Sequence, residues 1–276
     1  NVLFIIISKS GNTLETLSNF FLLNILKKKS KNIIIISEKK NNSLYLLSKK
    51  LDLFYIEHKK NIGGRYSVLS EVGILPAYLM GLNIFKIRSK IKDSLSKKNK
   101  SLIKESTTKL ANIMNTKKFS NLVLLNYCPE LEKFLFWCQQ LLAESLGKKS
   151  KGLLPSISNA PKDHHSLLQL YLDGPRDKIF NIFSLEKNSN LRINLSKNKN
   201  ISSYLNKKKI SRIKISQKNA LIKAFEKKKI PFREFRIKTI NEEVLGKLFS
   251  IFIVETIILG KLLNINPFDQ PAVEQG

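Results

Sequence analysis

Ser8-Lys9-Ser10-Gly11-Asn12-Thr13 stands between an apolar run, residues 2–7, and a stretch with helical spacing that opens at Leu14. Three hydroxyls, Ser8, Ser10 and Thr13, and the free N–H groups at the start of a helix together suit an anion, which the helix dipole also favours. Gly11 allows a tight turn there. The loop lacks GxxxxGK[ST], so it gives no support to a nucleoside triphosphate site. Simple capping of the helix by Asn12 or Thr13 fits the same residues, and both readings stand at this point.

Other chemistry-bearing residues lie downstream. Arg65 follows Gly63-Gly64, whose missing side chains let the backbone approach a ligand closely. Gln140 and Glu144 are four apart and share one face of a helix. Taken singly, Arg65 also reads as a salt-bridge partner and Glu144 as a solvated helix charge. Only three histidines occur, His58, His164 and His165, too few for a His-based metal cluster, and two cysteines make neither a disulfide framework nor a zinc site. No metal or other cofactor is expected.

The elements that must position these residues alternate. Residues 2–7 read as a strand buried on both faces, 14–28 as a helix, 32–37 as a strand, 42–50 as a helix and 51–56 as a strand. The middle is more helical. Residues 66–82 form one helix interrupted near Pro76, 84–97 a second and 101–115 a third. Beyond it, 121–127 is a strand, 130–145 a helix and 178–185 a strand. Residues 186–200 are loop, 209–226 a helix, 232–237 a strand and 241–263 a long helix. This order predicts an α/β fold of two lobes with parallel sheets and helices on both faces. The boundary falls in 84–120, giving lobes of 1–100 and 101–276.

Five segments in order then carry a resemblance that covers essentially the whole chain. The hydroxyl loop is similar to the Ser-x-Ser-Gly-x-Thr loop with which sugar isomerase domains grip sugar phosphates. Gly63-Gly64-Arg65-Tyr66-Ser67 resembles the Gly-Gly-Arg-[Phe/Tyr]-Ser signature of the glucose-6-phosphate isomerase family. Gln140-Leu141-Leu142-Ala143-Glu144-Ser145-Leu146-Gly147-Lys148 resembles that family's Gln-x-x-x-Glu-Ser-x-Gly-Lys segment, with Leu146 where Asn is usual. His164-His165-Ser166-Leu167-Leu168-Gln169-Leu170 is similar to its histidine block, with His164 where Gln is usual. Residues 266–276, Asn-Pro-Phe-Asp-Gln-Pro-Ala-Val-Glu-Gln-Gly, resemble its C-terminal signature.

The resemblance implies two Rossmann-like sugar isomerase lobes, the first incomplete. It implies reversible conversion of D-glucose 6-phosphate to D-fructose 6-phosphate, by ring opening and proton transfer through an enediolate, in the cytoplasm. By resemblance Glu144 is the base, Arg65 steadies the enediolate, and His165 opens the ring from the neighbouring subunit of a homodimer. Ser8, Lys9, Ser10, Thr13, Gly64, Gln140 and Gln270 contact substrate or its phosphate, with Glu274 near the site. It also implies an internal piece of a longer protein, lacking the family's earlier glycine-rich loop and the Lys that follows Gly276.

Composition separates the competing classes. Forty-nine basic against 21 acidic residues give a net charge of +28, which attracts nucleic acid or anionic membrane. Only seven of those basic residues are Arg, the residue that reads phosphates and bases bidentately, and the Lys clusters are dispersed. Solvated faces explain the charge better than a nucleic-acid surface. The longest apolar stretch, 248–259, is short for a membrane span and holds Glu255. An enzyme that also takes mannose 6-phosphate, and a non-catalytic sugar-phosphate sensor, remain the alternatives. A sensor would have no need of Glu144, Arg65 and His165 together.

Overall fold

The computed structural model describes residues 2–186, 191–194 and 205–273, which leaves Glu274 and most of the loop at 186–200 outside the described residues. The chain divides into two compact units, one up to Ile91 and one from Lys92 onward.

The first unit is built on β1 (Phe4–Ile7), β2 (Ile33–Ser37) and β3 (Phe54–Glu57), paired in parallel in the order β1-β2-β3. Helices α1 (Leu14–Leu22) and α2 (Ser43–Leu51) connect them. Among the described residues of this sheet only β2 has a neighbour on each side, and its Ile33, Ile35 and Ile36 are fully buried. The apolar run of β1 predicts burial on both faces, but it is an edge strand and its four residues are half-buried. Phe20, Leu44 and Leu53 pack onto the β2 isoleucines to form the core. α1 is shorter than its apolar spacing suggests, because Asn24 (φ 49°) turns the chain into the left-handed region soon after Leu22.

A 3-10 turn (Gly64–Leu69) carries Arg65 and leads into α3 (Glu71–Leu79), then α4 (Ile84–Ser89) and α5 (Ile91–Ser94). The helix runs through Pro76 rather than stopping there; the break falls earlier, at Ser70, where the backbone is extended. The single helix expected over 84–97 is three pieces, the last being the start of α6 (Lys97–Asn115).

The second unit holds β4 (Asn121–Asn126), β5 (Leu154–Asn159), β6 (Lys178–Leu185) and β7 (Phe232–Ile237), all parallel, in the order β5-β4-β6-β7. Helices α7 (Glu132–Leu146), α8 (Leu168–Asp173), α9 (Ile210–Lys227) and α10 (Glu242–Leu262) complete it. Leu122, Val123, Leu124 and Leu125 are all buried, as a central parallel strand covered on both faces requires. On one face Val123, Leu125, Phe180 and Ile182 meet Leu221 and Phe225 of α9. On the other, Phe183 and Phe134 join Phe252 of α10 through edge-on and tilted ring contacts. No helix among the described residues is long and apolar enough to cross a membrane.

Candidate active site

The hydroxyl loop closes on itself. Ser8 Oγ lies 2.7 Å from Thr13 Oγ1, and Ser10 Oγ lies 3.4 Å from each. The N–H groups of Gly11 and Asn12 donate to Ser8 Oγ and Ser10 Oγ. Thr13 occupies the N-cap position of α1, yet its side chain takes no hydrogen bond from that helix. Asn12 does not cap α1 either; its Oδ1 accepts from the Ser43 N–H at the start of α2, while Asn42 Oδ1 accepts from Tyr45. Both asparagines thus serve α2, and the capping reading of this loop fails. Gly11 has φ +69°, and a Cβ there would lie 1.9 Å from Asn42 Oδ1, so the turn depends on its glycine.

Lys9 stands in the same loop with its ammonium 3.5 Å from Glu38, which also receives Lys40 at 3.1 Å. Burial alone would raise the Glu38 carboxyl, but hydrogen bonding and charge from Lys40, then Lys9, hold it below the usual carboxylate range. Arg65 is buried, its guanidinium 5.5 Å from the centre of the Tyr66 ring. Beside it, a Cβ on Gly64 would meet nothing within 4 Å, so a ligand could approach this stretch of backbone closely.

In the second unit α7 buries Leu141, Leu142, Ser145 and Leu146 and turns Gln140 and Glu144 the other way. Gln140 Nε2 donates to Glu144 Oε1 at 2.9 Å, fixing the carboxylate's orientation. One turn on, Lys148 Nζ donates to the carbonyls of Asn266 and Asp269, both at 2.5 Å, and to Asp269 Oδ1 at 2.6 Å. That single ammonium ties the end of α7 to the segment bearing Gln270, which is exposed. In the sequence Lys148 is only part of a motif; nothing in its spacing announces three acceptors over a hundred residues away.

The two histidines that close the β5 loop differ sharply. His164 Nε2 is 2.7 Å from the buried Tyr127 hydroxyl. Burial, then the neighbouring His165, draws the His164 imidazole below its usual value, against the opposing pull of Asp163. Asp163 in turn accepts from the Asn159 N–H at 2.7 Å and from Ser158 Oγ at 3.1 Å, pinning the turn. His165 is exposed, so of the two imidazoles it is the one presented outward.

α7 leaves the carboxyl end of β4 and returns the chain to the start of β5, so Glu144, near its end, sits by the edge where the strands begin. Gln139 Nε2 agrees with this placement by donating to the carbonyl of Pro155, the second residue of β5. His165 follows the other end of β5. The six residues of that strand separate the two ends by roughly 17 Å at the usual rise. Within one chain Glu144 and His165 therefore lie at opposite edges of the sheet. Among the described residues no three His, Cys, Asp or Glu side chains are grouped to hold a metal.

The parts present are an anion-adapted hydroxyl loop, a buried guanidinium by an open stretch of backbone, an oriented carboxylate, and an outward imidazole. The family model for phosphoglucose isomerase matches residues 1–162. A Methanococcus maripaludis protein with the curated name "Probable glucose-6-phosphate isomerase" is 36% identical over 98% of the chain and 63% of its own length. The glucose-6-phosphate isomerase of Methanocaldococcus jannaschii is 34% identical over 98% of the chain and 68% of its own length. The chain thus spans about two thirds of the curated relatives it matches. In fold, it superimposes on a hypothetical protein of Thermus thermophilus with a TM-score of 0.89, at 24% identity, covering 100% of this chain and 69% of that one. A glucose-6-phosphate isomerase of Chlamydia trachomatis gives a TM-score of 0.76 at 20% identity, covering 99% of this chain and 57% of that one. With the family's motifs held in order on its fold, the chain belongs to the phosphoglucose isomerase family.

Proposed function

We propose that the protein carrying this chain interconverts D-glucose 6-phosphate and D-fructose 6-phosphate, with Ser8, Ser10 and Thr13 receiving the phosphate. The observation that carries this reading is the hydroxyl loop. Its three side chains turn on one another instead of capping α1, which leaves hydroxyls and the positive end of a helix available to a dianion. Lys9 adds positive charge nearby while its ammonium is held by Glu38. The two units serve as sugar isomerase lobes. Arg65 stabilises the enediolate oxyanion, Glu144 moves the proton between C1 and C2, and Gln140 orients Glu144. Gly64 and Gln270 line the sugar.

Replacing both Ser10 and Thr13 with alanine is expected to raise KM for the sugar phosphate in the full-length protein. Since phosphate binding is shared with the transition state, kcat/KM falls too. An unchanged KM would remove the phosphate from this loop.

His165 acts across a homodimer. The separation of Glu144 and His165 along β5 supports this, because one chain cannot bring both to the same sugar. His165→Ala should slow turnover of cyclic substrate far more than of open-chain substrate. Reassociating His165→Ala with Glu144→Gln subunits should restore activity in the mixed dimer, to roughly a quarter of wild type if mixing is random and one of its two sites is intact. No recovery on mixing would place both residues in the same subunit's site.

A further inference from the structure

His58 is 1% exposed and belongs to none of the segments discussed so far. Its backbone N–H donates to the Ser37 carbonyl at 2.8 Å, which fixes it against the carboxyl end of β2. Both ring nitrogens are engaged. Nε2 lies 3.1 Å from the Ile62 carbonyl, and Nδ1 is bonded to Glu71 Oε1. A carbonyl can only accept, so Nε2 carries a hydrogen.

The placement of these partners matters more than the pair itself. Ile62 immediately precedes Gly63-Gly64-Arg65, and Glu71 opens α3 directly after the 3-10 turn that carries Arg65. A single imidazole anchored to the sheet therefore grips the Arg65 segment at both ends. Hydrogen bonds inside the segment make it stiff: Ser67 Oγ donates to the Gly64 carbonyl at 2.6 Å and Ser70 Oγ to the Ser67 carbonyl at 2.7 Å. At Gly73 a Cβ would lie 2.0 Å from the Val68 carbonyl, so the start of α3 rests directly on that turn. A stiff segment held at two points moves as a body when either point is released.

We propose that His58 and Glu71 are positioning residues for Arg65, setting where its guanidinium stands rather than touching substrate themselves. This rests on the reading that Arg65 steadies the enediolate. A group that acts on charge developing in the transition state loses rate when displaced, and a misplacement of about 1 Å can cost about a hundredfold.

The test uses four variants of the full-length protein: Glu71→Ala, Glu71→Gln, Arg65→Ala and the double variant Glu71→Ala/Arg65→Ala. Glu71 is 22% exposed at its side chain, so its truncation does not empty the core. Glu71→Ala is expected to lower kcat about tenfold or more with KM nearly unchanged. Glu71→Gln should retain most of kcat, because its amide can donate to Nδ1 and keep the grip. On the Arg65→Ala background, Glu71→Ala should cost little more, since its effect runs through the missing guanidinium. Additive losses in the double variant, or a Glu71→Gln as slow as Glu71→Ala, would overturn the proposal. An Arg65→Ala variant with wild-type kcat would instead overturn the underlying reading of Arg65, whatever Glu71 does.

Discussion

Replacing Glu144 with glutamine is expected to lower isomerase turnover by roughly 10²–10⁴, the usual scale of a general base. The step needs one group that removes a proton from C2 of the open-chain sugar and returns it to C1 on the same face. A carboxylate can do both; an amide of the same shape cannot take the proton at all. Gln140 already donates to one carboxylate oxygen, which aims the group. The substitution keeps size and polarity, so a five-carbon enediolate mimic should lose far less affinity than the reaction loses rate. Solvent tritium exchange into C1 of the ketose product, or into C2 of the aldose in the reverse direction, is the direct measurement. Exchange at near wild-type rate in Glu144→Gln would put the base elsewhere.

The largest expected loss of stability comes from a pair that takes no part in the proposed chemistry. Glu255 on α10 is 2% exposed and meets Arg233 of β7 through two parallel hydrogen bonds of 2.6 Å. The guanidinium also reaches Ser106 on α6 at 3.1 Å and Asn181 on β6 at 2.7 Å, and lies 5.1 Å from the centre of the Phe235 ring. Glu255→Ala strands that cation among Asn181, Phe235 and the helices. Breaking such a buried pair costs about 3–5 kcal/mol, a large part of the roughly 5–15 kcal/mol that holds a typical domain together. Urea unfolding of the two single variants and an apolar double variant checks it. The double variant should recover much of the loss, because it leaves no unpaired charge. A single-variant loss below about 1 kcal/mol would mean that water reaches Arg233.

What the sequence reveals follows the strength of its periodic signals. The long helices α7, α9 and α10 and the buried strands β2, β4 and β6 announce themselves by apolar spacing or continuous apolar runs. β5 does not: Leu154-Pro155-Ser156-Ile157-Ser158-Asn159 is mostly small, polar or Pro, and its pattern predicts no strand. It lies at the sheet's edge, where Pro and partial exposure are tolerated. The short α8 escapes for want of length. The candidate site residues are legible as motifs, one segment at a time. Their physical relations are not. That Glu144 and His165 stand at opposite ends of β5 depends on the strand that leaves no signal. That His58 meets Glu71 across 13 residues depends on a loop returning to the end of a strand, which leaves no periodic trace.

The crossing of Asn12 and Asn42 beneath Gly11 carries a consequence for how such chains diverge. Asn12 caps the helix that Asn42 also caps, and Asn42 fills the space that a side chain at position 11 would need. These positions are therefore not free to drift one by one. A residue larger than glycine at 11 is expected in descendants only where position 42 has first become smaller, and the intermediate with both side chains present should be the rare one. The hydroxyl loop and the start of α2 are inherited as a single unit, so the proposed phosphate loop is constrained from about thirty residues away by a side chain that never has to meet the phosphate.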